Sequence, residues 1–210
     1  MLPAGFTYLE DPRIIRTMAY CTHDNFMGRP VKGYERQVCI LSNQAHDALI
    51  AVQNELDSLG RGYHLRIFDA YRPTTACSDF LHWSKDPKQK EMERIYYPNV
   101  LKETLFEQGY IAEKSTHSRG STVDLTICVR DRSTVDLHDA KDLDMGTVID
   151  FFDELTHTAN PNISEIAKKN RALLKDLMAK QGFINYPLEW WHFTLDNEPF
   201  PDTYFDFPVR

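Results

Sequence analysis

The chain has 210 residues, a formal net charge of −7 at pH 7, 42% hydrophobic residues and 12% aromatic residues. This length and apolar content suffice for a buried core, and we expect one domain over residues 1–210. Acidic and basic residues are mixed along the chain, so no basic stripe predicts nucleic-acid binding and no polybasic segment predicts membrane binding.

The N-terminus and the cysteines bear on the cellular compartment. The first twenty residues lack the basic start and the apolar stretch of roughly 7 to 15 residues that mark a secretory signal. No apolar run approaches the length of about 18 residues that a membrane span needs. The four cysteines are scattered without a CxxC pair, which favours reduced core residues over disulfides. We therefore expect a cytoplasmic protein without a membrane partner, and the pattern leaves its oligomeric state open, a homo-oligomer included.

The first half of the chain predicts a helix, a strand and a second helix. Ser42 is a suitable N-cap for a helix over 43–59, because apolar side chains recur there at helical spacing. The alternation of apolar and polar residues over 63–69 predicts a strand, and a helix is expected over 73–84.

The second half predicts an acidic loop, a long helix and aromatic strands. The stretch 131–144 is typical of a solvated hairpin loop. Apolar residues from Ile163 to Met178, with Ile166 among them, form one helical face, and Gly182 is a natural stop. Strand-forming aromatic residues return over 183–195. Helices and strands mixed in this way predict an α+β fold.

The stretch STHSRGSTVDLTI places His117 and Asp124 on either side of Gly120, at the edge of an apolar strand. A buried imidazole or carboxylate without a partner is costly, and a metal ion is one such partner. A catalytic zinc site usually has three nitrogen and oxygen ligands from the protein and one position for water. Alone, the pair is more often a hydrogen-bonded couple, so a third ligand is needed to favour a metal.

Two E-x-x-H segments can supply that ligand. In LEWWHF, His192 can bind the metal while Glu189 stays outside the metal shell and takes a proton from the bound water. The two tryptophans between them would exclude bulk water. In DELTH, Glu154 and His157 run into turn-forming residues, whereas His192 lies among bulky apolar residues, where an unpartnered imidazole is costly. Context favours His192, and a core strand with a capped acid and no metal remains the alternative.

Three segments in this order, DAYRP, STHSRGSTVDL and LEWWH, resemble the zinc-dependent D-alanyl-D-alanine dipeptidases of the VanX type. These enzymes act in vancomycin resistance and in D-Ala-D-Ala scavenging. The family pattern S-x-H-x-x-G-x-A-x-D matches from Ser115 to Asp124, except that Thr122 stands where the pattern has alanine. The added hydroxyl would act near the ligand Asp124 or bond the backbone. The likeness extends from GFTYLED to YFDFPV and so covers nearly the whole chain.

The resemblance implies one zinc ion per chain, with His117, Asp124 and His192 as its ligands. It also implies that Glu189 is the general base and that Arg72 steadies the oxyanion formed when water attacks the peptide carbonyl. On its own, Arg72 is most simply explained as the partner of a neighbouring acid across a turn.

Further residues follow from the same resemblance. Ser115 and Asp150 would hold the free ammonium of the dipeptide, and Tyr20 would be another pocket residue. The implied fold is an α+β core with a central antiparallel sheet flanked by helices, shared with D,D-carboxypeptidases and the hedgehog signalling domain. The loop 131–144 is longer than the typical family hairpin, and it would alter substrate size if it overhangs the site.

The expected activity is hydrolysis of D-alanyl-D-alanine, a dipeptide of peptidoglycan metabolism, to two D-alanines by a metal-bound water. One alternative is a D,D-carboxypeptidase or endopeptidase acting on cell-wall peptides, and the absence of a leader argues against it. Another is a non-catalytic zinc-binding module, and the presence of both Glu189 and Arg72 argues against that.

Overall fold

The computed structural model describes residues 1–130 and 139–210, and within them it contains eight strands and four helices. The strands are β1 Phe6–Tyr8, β2 Ile15–Arg16, β3 Ile40–Ser42, β4 Tyr63–Asp69, β5 Thr122–Val129, β6 Lys141–Asp142, β7 Phe183–Asn185 and β8 His192–Leu195. The helices are α1 Asn43–Ser58, α2 Thr74–Lys85, α3 Glu93–Tyr96 and α4 Glu165–Lys180. Among the described helices, none combines the length and the apolar character needed to cross a bilayer.

The main sheet has the order β2-β4-β5-β8-β7, and β6 also pairs with β5. Strands β1 and β3 form a separate antiparallel pair. All pairings in the main sheet are antiparallel except that of β2 with β4, which is parallel. The α+β class is confirmed, but the sheet is mixed rather than purely antiparallel. A parallel pair needs a long connection, and the chain between β2 and β4 provides one that contains β3 and α1.

Side-chain caps fix the start of both long helices. The Ser42 hydroxyl accepts a hydrogen bond from the backbone N–H of Ala45 at the start of α1, as the sequence predicted. The Ser164 hydroxyl does the same for Ala167 at the start of α4, and α4 ends just before Gly182, as predicted. Both helices therefore begin where a hydroxyl can satisfy a free amide of the first turn.

The predicted apolar face of α4 is right except at its first turn. The buried positions of α4 are 167, 171, 174, 177 and 178, a stripe with helical spacing. Ile166 is 64% exposed, because one residue turns a helix by about 100° and so places Ile166 beside the stripe. The predicted aromatic strand over 183–195 is divided into β7 and β8 by a turn.

The predicted hairpin after β5 is described only in its returning half. Residues 131–138, to which the prediction of a loop over the site applies, lie outside the described residues. Strand β6 runs antiparallel to the end of β5, which is the pairing of a hairpin. Asp142 of β6 forms an ion pair with Arg66 of β4, with 2.7 Å between its Oδ1 and the Arg66 Nε.

The buried side chains of the described residues form two large hydrophobic clusters. The first cluster joins β4, β5 and β8 to α1 and α4 and includes Trp190 and Trp191. The second cluster is rich in aromatic rings, gathers around α2, and includes Tyr20, Phe80 and Phe152. The four cysteines are free thiols, and all except Cys21 are buried, as the sequence predicted. Trp191 of the first cluster and Tyr20, Phe80 and Phe152 of the second line one cavity.

Gly120 shapes the turn that leads into β5. It follows a single 3₁₀ turn, Thr116–Arg119, and its φ of 86° lies in the left-handed region. Its N–H donates to the carbonyl of His117. A Cβ at this position would overlap the ring of Phe6. Glycine is therefore needed here for both conformation and space.

Replacing Gly120 with alanine is expected to lower the free energy of unfolding by about 2 to 5 kcal/mol, since left-handed strain and steric overlap add. The matched control is Gly60→Ala, because Gly60 has a φ of 65° with open space around it. That variant should lose only the conformational part, about 1 to 2 kcal/mol. Urea unfolding of both variants measures the difference, and equal losses would contradict the role given to the Phe6 contact.

Candidate active site

Two neighbouring strands and the turn before one of them bring the predicted metal ligands together. Asp124 on the central strand β5 lies opposite Asp69 at the end of β4 and opposite His192 at the start of β8. His117 lies in the 3₁₀ turn immediately before β5. The pairing of β5 with β8 therefore brings the distant His192 to His117 and Asp124, and the three side chains form one cluster at an end of the sheet.

The cluster has the dimensions of a metal site. Ligand atoms of His117, Asp124 and His192 all lie within 4.8 Å of one another, which makes this trio a group in the described residues that could hold a metal ion. Nε2 of His117 is 3.1 Å from Oδ2 of Asp124, and Nδ1 of His192 is 3.1 Å from Oδ1 of the same carboxylate. His117 and Asp124 are almost completely buried.

The orientation of His117 indicates that a cation belongs in the cluster. Its Nδ1 lies 2.7 Å from the carbonyl oxygen of Ala70, so Nδ1 carries the proton and donates it. Burial lowers the pKa of His117, which keeps the ring neutral and leaves a lone pair on Nε2. That lone pair faces the Asp124 carboxylate, and neither His117 Nε2 nor Asp124 Oδ1 has a hydrogen-bond partner of good geometry. Two acceptors facing each other suit a shared metal ion.

His192 is oriented in a similar way. Its Nε2 lies 3.3 Å from the hydroxyl of Thr116, while Nδ1 faces Asp124. Burial alone would lower the pKa of His192, but the Asp124 carboxylate beside the ring outweighs it and raises the pKa. Burial would likewise raise the pKa of Asp124, but the two histidines hold it far below its usual range. Asp124 is therefore an ionised carboxylate placed between two imidazoles, a donor set of nitrogen and oxygen that fits zinc.

Glu189 lies beside this cluster, and the second E-x-x-H segment does not. The Glu189 carboxylate is 3.4 Å from His192 Nδ1 and lines the same cavity. Burial raises its pKa to about 7. Glu154 and His157 do not line that cavity, and His157 uses its backbone carbonyl to accept a hydrogen bond from Arg171. The geometry thus places the predicted base near the cluster and the competing segment elsewhere.

Arg72 pairs with the neighbouring acid Asp69 across a turn, and it also faces the candidate site. Its Nε and Nη2 lie 2.9 and 2.8 Å from Oδ2 of Asp69, and its Nη2 lies 3.4 Å from Oδ2 of Asp124. Its guanidinium also lies over the rings of Tyr20 and Phe80, at 5.2 and 5.1 Å from their centroids. Burial opposes the charge, but Asp69 and the other nearby groups raise the pKa of Arg72. A fixed cation therefore borders the cavity.

A second acid occupies another part of the cavity wall. The carboxylate of Asp150 accepts a hydrogen bond of 2.8 Å from the Tyr20 hydroxyl. Burial, with the charge of Asp124 adding to it, raises the pKa of Asp150 to about 8. The Asp150 backbone has a φ of 57°, which is rare for a residue other than glycine. A half-buried carboxylate of this kind, hydrogen-bonded to a neutral hydroxyl, suits a cationic group of a ligand.

The cavity joins these groups. Its volume is about 190 Å³, below the 300 to 1,000 Å³ typical of pockets for drug-sized ligands, which fits a small substrate. Its lining includes seven of the eight predicted site residues, namely Tyr20, Arg72, Ser115, Asp124, Asp150, Glu189 and His192. The Ser115 hydroxyl also accepts a hydrogen bond from the backbone N–H of His117. His117 lies behind the wall, where it contacts Asp124.

Two expectations about neighbouring residues need correction. Trp191 lines the cavity, but Trp190 does not, because its Nε1 donates to Thr147 on another segment. The hydroxyl of Thr122 bonds the hydroxyl of Thr194 across the strands at 2.9 Å, rather than a backbone group or the Asp124 carboxylate. Cross-strand pairing in the register of β5 and β8 accounts for that bond.

Several supporting residues were not found from the sequence. Tyr34 donates a hydrogen bond of 2.7 Å to Asp69, which in turn holds Arg72, and Thr116 pairs with His192. Thr116 lies between Ser115 and His117 of the S-x-H motif, so its position in the sequence could have indicated a place near the ligands. Tyr34 has no local pattern, because its contact joins two distant parts of the chain.

An α+β fold with two histidines and a carboxylate beside a buried glutamate and an arginine has the site of a metallopeptidase. Comparison with known proteins makes the class specific. The sequence model of the D-ala-D-ala dipeptidase family, peptidase family M15, matches residues 11–210. The chain belongs to this family, which implies a metal cofactor.

Similar proteins match over most of their length. The D-alanyl-D-alanine dipeptidase of Enterococcus faecium is 39% identical over 208 residues, 98% of both sequences. That of Streptomyces coelicolor is 39% identical over 190 residues, 90% of both sequences. The D-alanyl-D-alanine dipeptidase of Escherichia coli is 32% identical over 178 residues, 85% of this chain and 77% of that protein.

The metal cluster predicts different effects for the two E-x-x-H histidines. His192→Ala removes one of three ligands and should abolish stoichiometric zinc binding. His157→Ala, the control, should leave about one zinc per chain, since three protein ligands remain. Elemental analysis after dialysis measures both. Full zinc content in the His192 variant would contradict this ligand set.

The raised pKa of Asp150 predicts a pH-dependent gain in stability for Asp150→Asn. The folded protein keeps the Asp150 proton up to a pH of about 8, whereas the unfolded chain loses it near 3.8. The unfolded state therefore binds fewer protons between these values, and this carboxyl lowers stability as pH rises through that window. Relative to wild type, the melting temperature of metal-free Asp150→Asn should rise from pH 5 to pH 9. A difference that is constant with pH would contradict the assigned shift.

Proposed function

We propose that this chain is a zinc-dependent peptidase that hydrolyses D-alanyl-D-alanine to two D-alanines. The observation that carries the proposal is the cavity, which joins Asp124 and His192 of the ligand cluster to the carboxylates of Glu189 and Asp150 within about 190 Å³. A peptidase for free dipeptides needs these parts together, because it must bind a charged amino terminus next to the bond that it breaks.

His117, Asp124 and His192 would hold the zinc ion. The ion would supply Lewis acidity, which lowers the pKa of a coordinated water. Glu189 takes the proton from the attacking water and delivers it to the leaving amine. Its pKa of about 7 suits both transfers near neutral pH.

Arg72 and the Asp150 side of the cavity orient the dipeptide. The Arg72 guanidinium, held by Asp69, donates to the oxygen of the scissile carbonyl as negative charge develops there. Asp150, Tyr20 and Ser115 bind the substrate ammonium. A longer peptide has no ammonium at this place, so it forms no ion pair with Asp150.

The decisive experiment compares three substrates with and without a chelator. D-Ala-D-Ala should be hydrolysed, whereas L-Ala-L-Ala and a pentapeptide ending in D-Ala-D-Ala should be poor substrates, and the chelator should remove the activity. Faster cleavage of the pentapeptide than of D-Ala-D-Ala would instead indicate a cell-wall carboxypeptidase or endopeptidase. Zinc binding without any hydrolysis would indicate a non-catalytic module. The cytoplasmic location and the single domain over 1–210 stay predictions.

Glu189→Gln should retain zinc and fold but lose turnover by about 10² to 10⁴, the contribution of a general base. The matched control is Glu154→Gln, which changes the acid of the other E-x-x-H segment and should keep wild-type turnover. Steady-state kinetics and zinc analysis on the same samples test this. Near-normal hydrolysis by Glu189→Gln would mean that another group is the base.

Arg72→Lys separates the turn contact from the oxyanion role. Lysine can still pair with Asp69, so the melting temperature should change little. Its ammonium cannot reproduce the planar fork, so kcat should fall by about 10² while KM changes less. Arg72→Ala should lower both kcat and the melting temperature. Unchanged kcat in the lysine variant would remove Arg72 from the catalytic residues.

A further inference from the structure

Arg171 of α4 is a buried arginine that binds the backbone of a single segment. It is 2% exposed. Its Nε donates to the carbonyl of Met145 at 2.7 Å, its Nη1 to that of His157 at 2.7 Å, and its Nη2 to that of Leu155 at 2.9 Å. One guanidinium therefore holds both ends of the segment 145–157.

Burying the charge of Arg171 costs free energy, so stability alone does not account for an arginine at this position. All three of these hydrogen bonds go to neutral carbonyl oxygens, and burial lowers the pKa of Arg171 to about 10. An apolar residue of similar volume at a buried charged position is often neutral or stabilising. The guanidinium differs from such a residue in fixing three carbonyls in one geometry.

The segment 145–157 carries Asp150 near its middle. Asp150 has a left-handed backbone, and a residue stays in such a conformation only when its surroundings determine it. Its side chain is bonded to Tyr20, from a distant part of the chain. The ends of the segment are where Arg171 acts, so Arg171 controls the backbone on which Asp150 is placed.

Contacts of Trp190 join the segment 145–157 to the segment that carries Glu189. Trp190 follows Glu189 directly, and its Nε1 donates to the hydroxyl of Thr147 at 2.8 Å. The backbone N–H of Trp190 donates to the carbonyl of Thr156 at 3.1 Å. The Arg171 guanidinium lies 5.9 Å from the centre of the Trp190 ring. The two functional segments are thus tied to each other behind the cavity.

We propose that Arg171 is a positioning residue that fixes the distance from Asp150 to the Glu189–His192 segment and thereby limits the substrate to two residues. The inference rests on the proposed function, in which Asp150 binds the substrate ammonium. A dipeptide places its ammonium at one distance from the bond that is cleaved. A rigid separation between the two binding groups therefore selects that length.

The test compares D-Ala-D-Ala with N-acetyl-D-Ala-D-Ala, which is longer and has no ammonium. In Arg171→Met, the kcat/KM for D-Ala-D-Ala divided by that for N-acetyl-D-Ala-D-Ala should fall about tenfold or more, because small misplacements of binding groups cost this much. The fall should come mainly from a higher KM for D-Ala-D-Ala. Zinc content should stay at the wild-type value. The matched control is Leu174→Ala, one turn along the same helix and fully buried, which should lower the melting temperature without changing the ratio.

A second pair of variants keeps the test decisive if Arg171→Met does not fold. Thr147→Val removes the acceptor for Trp190 and should shift the ratio in the same direction. Its neighbour Val148 is 55% exposed, and Val148→Ala should leave the ratio unchanged. An unchanged ratio in folded Arg171→Met, or in Thr147→Val when Arg171→Met fails to fold, overturns the proposal.

Two further samples separate this inference from the proposed function. A wild-type protein that does not hydrolyse D-Ala-D-Ala would refute the proposed function itself. An Asp150→Asn variant with the wild-type substrate ratio would show that Asp150 does not bind the ammonium, which also overturns the inference. Loss of discrimination in Asp150→Asn together with an unchanged ratio in Arg171→Met refutes the role of Arg171 alone.

Discussion

The buried carboxylate of Asp124 is the constraint on which the rest of the site depends. It lies on the central strand, within 3.4 Å of His117, His192 and Arg72. A buried carboxylate needs cationic or hydrogen-bonding partners, and each of these arrives from a different element. The turn before β5, the start of β8 and the end of β4 must therefore meet at one point, which fixes the register of three strands.

The sequence alone was sufficient to predict features that depend on short motifs or on local patterns of apolar and polar residues. The Ser42 cap, the strand 63–69 and the meeting of His117 with His192 belong to these cases. It was insufficient where a contact joins distant residues without periodicity, as for Tyr34 with Asp69. The interaction of Arg171 with three carbonyls is of the same kind. Helical spacing places Arg171 in the buried stripe of α4, but the backbone carbonyls that it binds have no pattern in the sequence.

The E-W-W-H segment also shows why motif spacing predicts chemistry better than it predicts packing. Glu189 and His192 face the cavity, and Trp191 joins them. Trp190, between them in sequence, points to the segment that carries Asp150. The motif therefore has two sets of contacts, one lining the cavity and one behind it, and only the hydrogen bond to Thr147 made the second visible.

The division of the core into two clusters has a consequence for how such a protein can diversify. The ligand-bearing strands pack in the first cluster, whereas Tyr20, Phe80 and Phe152 of the cavity wall belong to the second. Substitutions in the aromatic cluster can reshape the wall while the strands that carry the ligands keep their packing. Gene duplicates could thus acquire new substrates through one half of the molecule and inherit their hydrolytic chemistry unchanged through the other.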